Sequence, residues 1–291
     1  MASLKEIKSR ISSVKSTQKI TSAMKMVSSA KLRKAQYQIE HFLPYQEKLN
    51  VILSSFLASV SGFDTKLAEE REVKNVAIVV VSSNSSLCGA FNSNIIKLLN
   101  DTIDKYEKQN CTNIEVYAIG KKVENQAARF TFPVEIKGGY IDLIDKPNFD
   151  GAKGLAENLI QKFLDSKIDR VELLYNHYKS NTFQISTKEQ FLPINLDDSP
   201  LQDTLHNDYI VEPDQNTVLH SLIPKSLHSK IYAILLDSAA AEQAARVVAM
   251  QIATDNAEDL LGELTIQYNK QRQQAITNEL LDILGGSEAL K

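Results

Sequence analysis

Residues 4–42 read LKEIKSRISSVKSTQKITSAMKMVSSAKLRKAQYQIEHF. Steps of three and four, taken in turn, put Leu4, Ile7, Ile11 and Val14, then Gln18, Thr21, Lys25 and Ser28, then Leu32, Ala35, Ile39 and Phe42 on one line. That alternation is the seam of a helix paired with another helix. The seam is apolar at both ends and polar in its middle. An ordinary paired helix keeps its seam apolar, so the middle is expected to be weakly held or to lie in a mixed environment. Pro44 is expected to bend the helix rather than end it. Tyr45 to Val60 stays helix-like, with Leu49, Ile52, Leu53, Phe56 and Leu57 at apolar positions. Gly62 is the expected stop. Roughly 55 helical residues would reach about 80 Å, more than a small core can cover.

The other end of the chain reads alike. A helix is expected to begin at Pro213, between Glu212 and Asp214, where a proline fits the first turn and acids suit the helix dipole. Pro224 is expected to kink or interrupt it. The pattern then runs from Lys225 to Leu284, with Gly285-Gly286 as the stop. About 60 residues give roughly 90 Å. Ser238-Ala239-Ala240-Ala241-Glu242-Gln243-Ala244-Ala245 is rich in small side chains, which let helix backbones approach, so the tightest helix contact is expected there.

Between these ends, residues 63–74 read as polar linker, and Val76-Ala77-Ile78-Val79-Val80-Val81 as a strand buried on both faces. Further strands are expected at 114–119, 132–137 and 171–178, an edge strand at 182–192, and helices at about 90–108, 121–130 and 151–166. This alternation predicts a mostly parallel sheet covered by helices. The fold class is therefore α/β: a long antiparallel coiled coil of the terminal helices plus a central Rossmann-like domain. The expected parts are 1–62, 73–200 and 208–286.

The chain has 291 residues, 43% hydrophobic and 24% charged, with ten glycines, seven prolines and no tryptophan, which suits a helix-rich chain with little loop. No apolar run is long enough to span a membrane, and the start shows neither a secretory signal nor a transit peptide. Cys88 and Cys111 have no metal or redox spacing, so no disulfide is expected. Charge is uneven. Residues 1–34 carry nine Lys and Arg against Glu6 alone, net +8, while the whole chain is −3. A basic helix points to nucleic acid, an anionic membrane surface or an acidic protein partner, unless it is only a solvated face.

No catalytic apparatus is legible. The loop Ser82-Ser83-Asn84-Ser85-Ser86-Leu87-Cys88-Gly89 lies where a doubly wound fold binds nucleotides, but its single glycine fits neither phosphate-binding pattern. Cys88, at a helix start, is read as a packed small side chain rather than a reactive thiol. His41, His177, His206, His220 and His228 lack metal-ligand spacing and read as surface or capping residues. No cofactor or metal is expected.

Several longer motifs carry a resemblance. They are Leu4 to Ile11, Thr17 to Val27, Ala30 to Gln36, Leu87-Cys88-Gly89-Ala90-Phe91-Asn92, Glu242-Gln243-Ala244-Ala245-Arg246, Ala253-Thr254-Asp255-Asn256-Ala257, Tyr268-Asn269-Lys270, Arg272-Gln273, and Ile276 to Asp282. With them the chain resembles the γ subunits of F-type ATP synthases, of bacterial type, over nearly its whole length. Two departures stand out. Asn84-Ser85-Ser86 replaces the usual Asp-Arg-Gly, and Ser287 replaces an alanine. The cysteine insertion of chloroplast members is absent, so thiol control is not expected.

The resemblance implies a non-catalytic rotor. The helix pair would stand inside a ring of α and β subunits, and the α/β domain would sit below on the ε subunit and the c-ring. Proton flow would turn the shaft, driving each β-subunit site through states of different nucleotide affinity. It implies β-subunit contacts at Met24, Lys25, Arg246, Arg272, Gln273, Thr277 and Glu279. It implies a peripheral place on the cytoplasmic face of the bacterial inner membrane, with membrane association through the complex only and no nucleic acid as partner. The residues leave two other classes open. A nucleotide-dependent enzyme is disfavoured by the missing phosphate loop, and a basic coiled-coil adaptor for nucleic acid would show steep salt dependence.

Overall fold

A computed structural model describes residues 3–59, 65–126, 134–194, 211–212 and 214–288, with side chains at 57–59 and 285–288 left aside. Helix α1 spans Leu4–Ser59. Strand β1 (Asn75–Val81) follows, then α2 (Phe91–Lys108), β2 (Asn113–Ile119), α3 (Lys121–Glu124), β3 (Val134–Lys137), α4 (Asp142–Asp145), α5 (Phe149–Leu164), β4 (Arg170–Tyr178), β5 (Gln184–Leu192) and α6 (Gln215–Glu288). The expected class holds: two long terminal helices and a central α/β sheet. Two compact units divide the chain, one within Met1–Ser28 and Val247–Lys291, the other Ser29–Arg246.

In the second unit the strand order is β3-β2-β1-β4-β5. β1 pairs in parallel with β2 and β4, β2 pairs in parallel with β3, and β5 returns antiparallel along the edge. The apolar run of β1 serves both faces, because successive side chains alternate. Ala77, Val79 and Val81 join α5 and residues Ile223 to Ala239 of α6 in one core. Val76, Ile78 and Val80 join Ile95, Leu99, Ile103 and Tyr106 of α2 in the other. Asp169 holds the start of β1, accepting the amides of Lys74 at 3.0 Å and Asn75 at 2.8 Å. On β4 the buried carboxylate of Glu172 is held by Lys188 at 2.9 Å and by the Tyr106 hydroxyl.

Several local readings are corrected. The linker is not featureless: Lys66–Ala68 forms a 3-10 turn, and Leu67 is buried in the core. Pro224 does not interrupt α6, because Leu219, Ile223 and Leu227 are buried on both sides of it. That packing outweighs the lost amide donor. Helix α1 runs through Pro44, which does not end it, as expected. Gly285-Gly286 does not stop α6, which continues to Glu288; glycine permits the left-handed stop without compelling it. The start at Pro213 and the stop at Gly62 fall outside the described residues, as do the second half of the 121–130 helix and His206. The first described residue of α6 is Gln215, capped by Asp214, which accepts the Thr217 amide at 2.9 Å. Helix α1 starts with a capping box: the Glu6 amide donates to Ser3 Oγ, and the Ser3 amide to Glu6 Oε2. His228 is buried rather than a surface residue, and burial pushes its imidazole pKa down.

Candidate partner-contact surfaces

In the first unit, α1 and α6 lie side by side and antiparallel. The seam read from the sequence is the buried line: Ile7, Thr21 and Ser28 are buried, and Leu4, Ile11, Val14, Gln18 and Lys25 half-buried. The matching line on α6 is Met250, Thr254, Ala257, Leu261, Leu264, Tyr268, Gln271 and Ala275. Its polar middle is satisfied internally, because the Thr21 and Thr254 hydroxyls meet at 2.8 Å. Each hydroxyl also lies within bonding distance of a carbonyl of its own helix, Gln18 or Met250, and the one that accepts across the seam donates there.

That pairing sets the register. Thr21 faces Thr254, so Leu4 faces residue 271. Arg272–Glu288 therefore runs about 25 Å past the start of α1. There the buried line fades, and Ile276, Leu280, Leu281 and Ile283 are each about half exposed or more. The two helices also differ in charge. Up to Ser28, α1 carries Lys5, Lys8, Arg10, Lys15, Lys19 and Lys25 against Glu6. From Val247 to Leu284, α6 carries Asp255, Glu258, Asp259, Glu263, Glu279 and Asp282 against Lys270 and Arg272. Among the described residues, none of these charges forms an ion pair with another. This unit presents one basic helix, one acidic helix and an apolar end to whatever surrounds it.

In the second unit, the C-terminal end of β1 is where the strand connections diverge, the usual ligand crevice of doubly wound sheets. Here the chain fills it. Cys88 and Phe91 pack on Ala241 and Ala245 of α6. The other face of α6 carries Ala240 and Ala244, packed on Leu32 and Ala35 of α1. Arg246 donates to the Ser86 carbonyl, to Ser85 Oγ at 2.8 Å and to Glu242 Oε1 at 2.6 Å. Burial pushes the Glu242 carboxyl pKa up, against the pull of Arg246. Burial also pushes the Cys88 thiol up, against Ser83 and Arg246, so this cysteine is a packing residue and not an activated thiolate.

Residues 3–290 match the family model described as ATP synthase. The ATP synthase gamma chain of Azobacteroides pseudotrichonymphae genomovar. CFP2 is 59% identical over 291 residues, covering all of both chains. That of Bacteroides fragilis strain YCH46 is 53% identical over 294 residues, covering 99% of this chain and 100% of the relative. The chain belongs to the ATP synthase gamma chain family.

Two solved structures similar to this family member support the fold. One, titled as the rotor of Euglena gracilis mitochondrial ATP synthase in rotational state 1, has a TM-score of 0.62 at 18% identity. It covers 94% of this chain and 98% of that one. Another, titled as OSCP/F1/c-ring of the same enzyme in rotational state 3, has a TM-score of 0.66 at 19% identity and coverages of 99% and 94%.

The residues that the family resemblance marks fall into two groups. Met24 and Lys25 are half-buried on α1, beside the Thr21 seam position, and Arg272, Gln273, Thr277 and Glu279 are exposed on the unpaired end of α6. Gln273 and Thr277 are linked locally, the Thr277 hydroxyl donating to the Gln273 carbonyl at 2.9 Å. Arg246 stands apart from these, because its guanidinium is buried and spent on its own chain. Sequence reasoning missed the seam of α6. Its three-four spacing was present, but Ile252, Leu260, Ile266 and Leu281 off the line blur it. Among the described residues no helix is long and apolar enough to cross a membrane, and no cluster could hold a metal.

Proposed function

We propose that this chain is the central-stalk rotor of a proton-translocating F-type ATP synthase, a non-catalytic subunit that carries torque between the membrane ring and the catalytic hexamer. The observation that carries this reading is the end of α6. Arg272–Ile283 lies beyond the start of α1 and keeps Ile276, Leu280, Leu281 and Ile283 exposed. An apolar helix end without a partner calls for a surrounding surface. A ring of α and β subunits is such a surface. The split of charge between α1 and α6 makes the shaft different on different sides, so turning it changes what each β subunit meets. A state change in a β subunit needs that differential contact.

In this reading Met24 and Lys25 on α1, and Arg272, Gln273, Thr277 and Glu279 on α6, touch the β subunits. The parts 1–62 and 208–286 form the shaft, and 73–200 is the domain that binds the ε subunit and the c-ring. The complex holds the chain at the cytoplasmic face of the inner membrane. The filled crevice at Ser82 to Gly89 supports a chain that binds no nucleotide itself.

Co-expression with α and β subunits tests the proposal. The expected result is a single complex that contains this chain, while calorimetry on the isolated chain shows no ATP binding. A hexamer that purifies without the chain, or tight ATP binding by the chain alone, would overturn it.

A further inference from the structure

The loop between β1 and α2 is tied to five different elements. The Ser82 amide donates to the Ile119 carbonyl of β2 at 2.7 Å. Asn84 donates to the Ile141 carbonyl at 2.9 Å and to Asp145 at 2.7 Å, at the two ends of α4, and accepts the Lys121 amide at 3.1 Å. Asn92 of α2 bonds the Ser83 amide and hydroxyl. Arg246 of α6 takes the remaining exit, at Ser85 and Ser86. The apex is Leu87, 60% exposed at φ 69°. A leucine in that left-handed region is strained and persists only where its surroundings fix it.

Ser85 and Ser86 are small, which leaves room for a guanidinium between the loop and α6. Glu242, one turn before Arg246 on the same helix, holds that guanidinium from the other side, and the two side chains are 5% and 8% exposed. An ion pair this buried costs stability when one partner is removed, and does little for stability beyond an apolar packing of the same volume. Its use is to fix geometry. The loop is anchored to the sheet by Ser82, to α3 and α4 by Asn84, and to α6 by the hydrogen bonds of Arg246.

We propose that Glu242 and Arg246 form a latch that locks α6 to the β1–α2 loop, so that the sheet and the helix beside it turn as one body. Arg246 is a positioning residue in this role: it acts through Ser85 and Ser86 and fixes how the loop stands on the helix. The inference rests on the rotor reading above. It assigns to Arg246 a function inside its own chain, where the family resemblance implies a contact with the β subunit.

The test uses the assembled complex in sealed membrane vesicles, with Arg246→Ala, Arg246→Lys, Ser85→Ala and the double variant Arg246→Ala with Ser85→Ala. Protons pumped per ATP hydrolysed is the readout. A latch predicts that Ser85→Ala lowers the ratio although the guanidinium is still present. It predicts that Arg246→Ala lowers it by roughly twofold or more, the low end for residues in contact. The double variant should be no worse than Arg246→Ala, and Arg246→Lys should recover part of the loss, since an ammonium can reach one of the acceptors but not all. Hydrogen exchange on the isolated chain gives a second reading that does not need assembly. Arg246→Ala should speed exchange at amides 85–89 and leave the amides of 230–240 unchanged. Normal coupling in Ser85→Ala together with unchanged exchange at 85–89 in Arg246→Ala would overturn the latch. A wild-type chain that fails to join the complex at all would instead overturn the rotor reading.

Discussion

The first and last thirds of α6 have similar apolar side chains and opposite surroundings. Leu219, Ile223, Leu227, Ile231 and Leu235 are buried by the sheet, α5 and their neighbours within the Ser29–Arg246 unit. Ile276, Leu280, Leu281 and Ile283 lie in the other unit with 48% to 68% of their surface open. Burial of a leucine or isoleucine gives about 1.5–3 kcal/mol, so the first set pays for folding of this chain, whereas the second contributes only a fraction of that until something else covers it. An apolar residue therefore serves the fold or the assembly according to what its helix lies against, and composition alone does not separate the two uses.

The sharpest way to break that comparison is to truncate one residue from each set. Leu235→Ala should cost the isolated chain about 3–5 kcal/mol, read from urea unfolding, because it empties a fully buried site. Leu281→Ala, at 60% exposure, should stay within about 0.5 kcal/mol of wild type in the same experiment. Similar losses from both would mean that the end of α6 is covered by its own chain.

A smaller effect is expected at Glu115, where electrostatics can be titrated. Burial alone would raise its carboxyl pKa, but the bond from Lys162 at 2.6 Å and that from Tyr117 at 2.9 Å outweigh it and hold the pKa below the ordinary carboxylate value. A group with a lowered folded pKa stabilises the fold above its unfolded pKa and loses that contribution as pH falls through the folded value. Glu115→Gln should therefore cost about 1.5–3 kcal/mol at neutral pH, the range for hydrogen bonds to charged groups. The gap should close in acid below the ordinary carboxylate range. Denaturant titrations of both proteins at neutral and acid pH check the sign, and a gap that widens in acid would refute it.

The smallest effect belongs to the polar seam. Thr21→Val alone leaves Thr254 without its partner across the helices but still bonded to the Met250 carbonyl, so the cost should be about 1 kcal/mol or less. Valine at both positions should return stability to within about 0.5 kcal/mol of wild type, since replacing both partners leaves no orphaned group. Thermal melts of the single and double variants decide it. A double variant much weaker than the single one would mean that the hydroxyl pair, and not the shape of the seam, holds the helices there.

What was legible follows from the range of the interactions. The seam from Leu4 to Phe42 and the two-faced run Val76 to Val81 are periodic patterns; the structure buries the run and keeps every seam residue buried or half-buried, as the sequence indicates. Pro224 and Gly285-Gly286 misled because their signals are local, while the helix is held by side chains several turns away. The bonds of Arg246 within its own chain could not be read. Its partners Ser85 and Ser86 lie 160 residues earlier in the chain, and nothing in the sequence around an i, i+4 Glu–Arg pair tells a solvated pair from a buried one. The departure Asn84-Ser85-Ser86 gains its meaning at Ser85, where a short hydroxyl side chain stands in place of the usual arginine and accepts from the guanidinium.

The central claim is that this chain turns inside a ring of catalytic subunits. The direct measurement is single-molecule rotation of the reconstituted complex, with the hexamer fixed to a surface and a probe on a cysteine introduced at exposed Lys179 in the β4–β5 turn. The account predicts stepwise rotation in one direction that starts on addition of ATP and stops when it is exhausted. ATP hydrolysis at a normal rate with a stationary probe, in complexes shown to contain this chain, would contradict it.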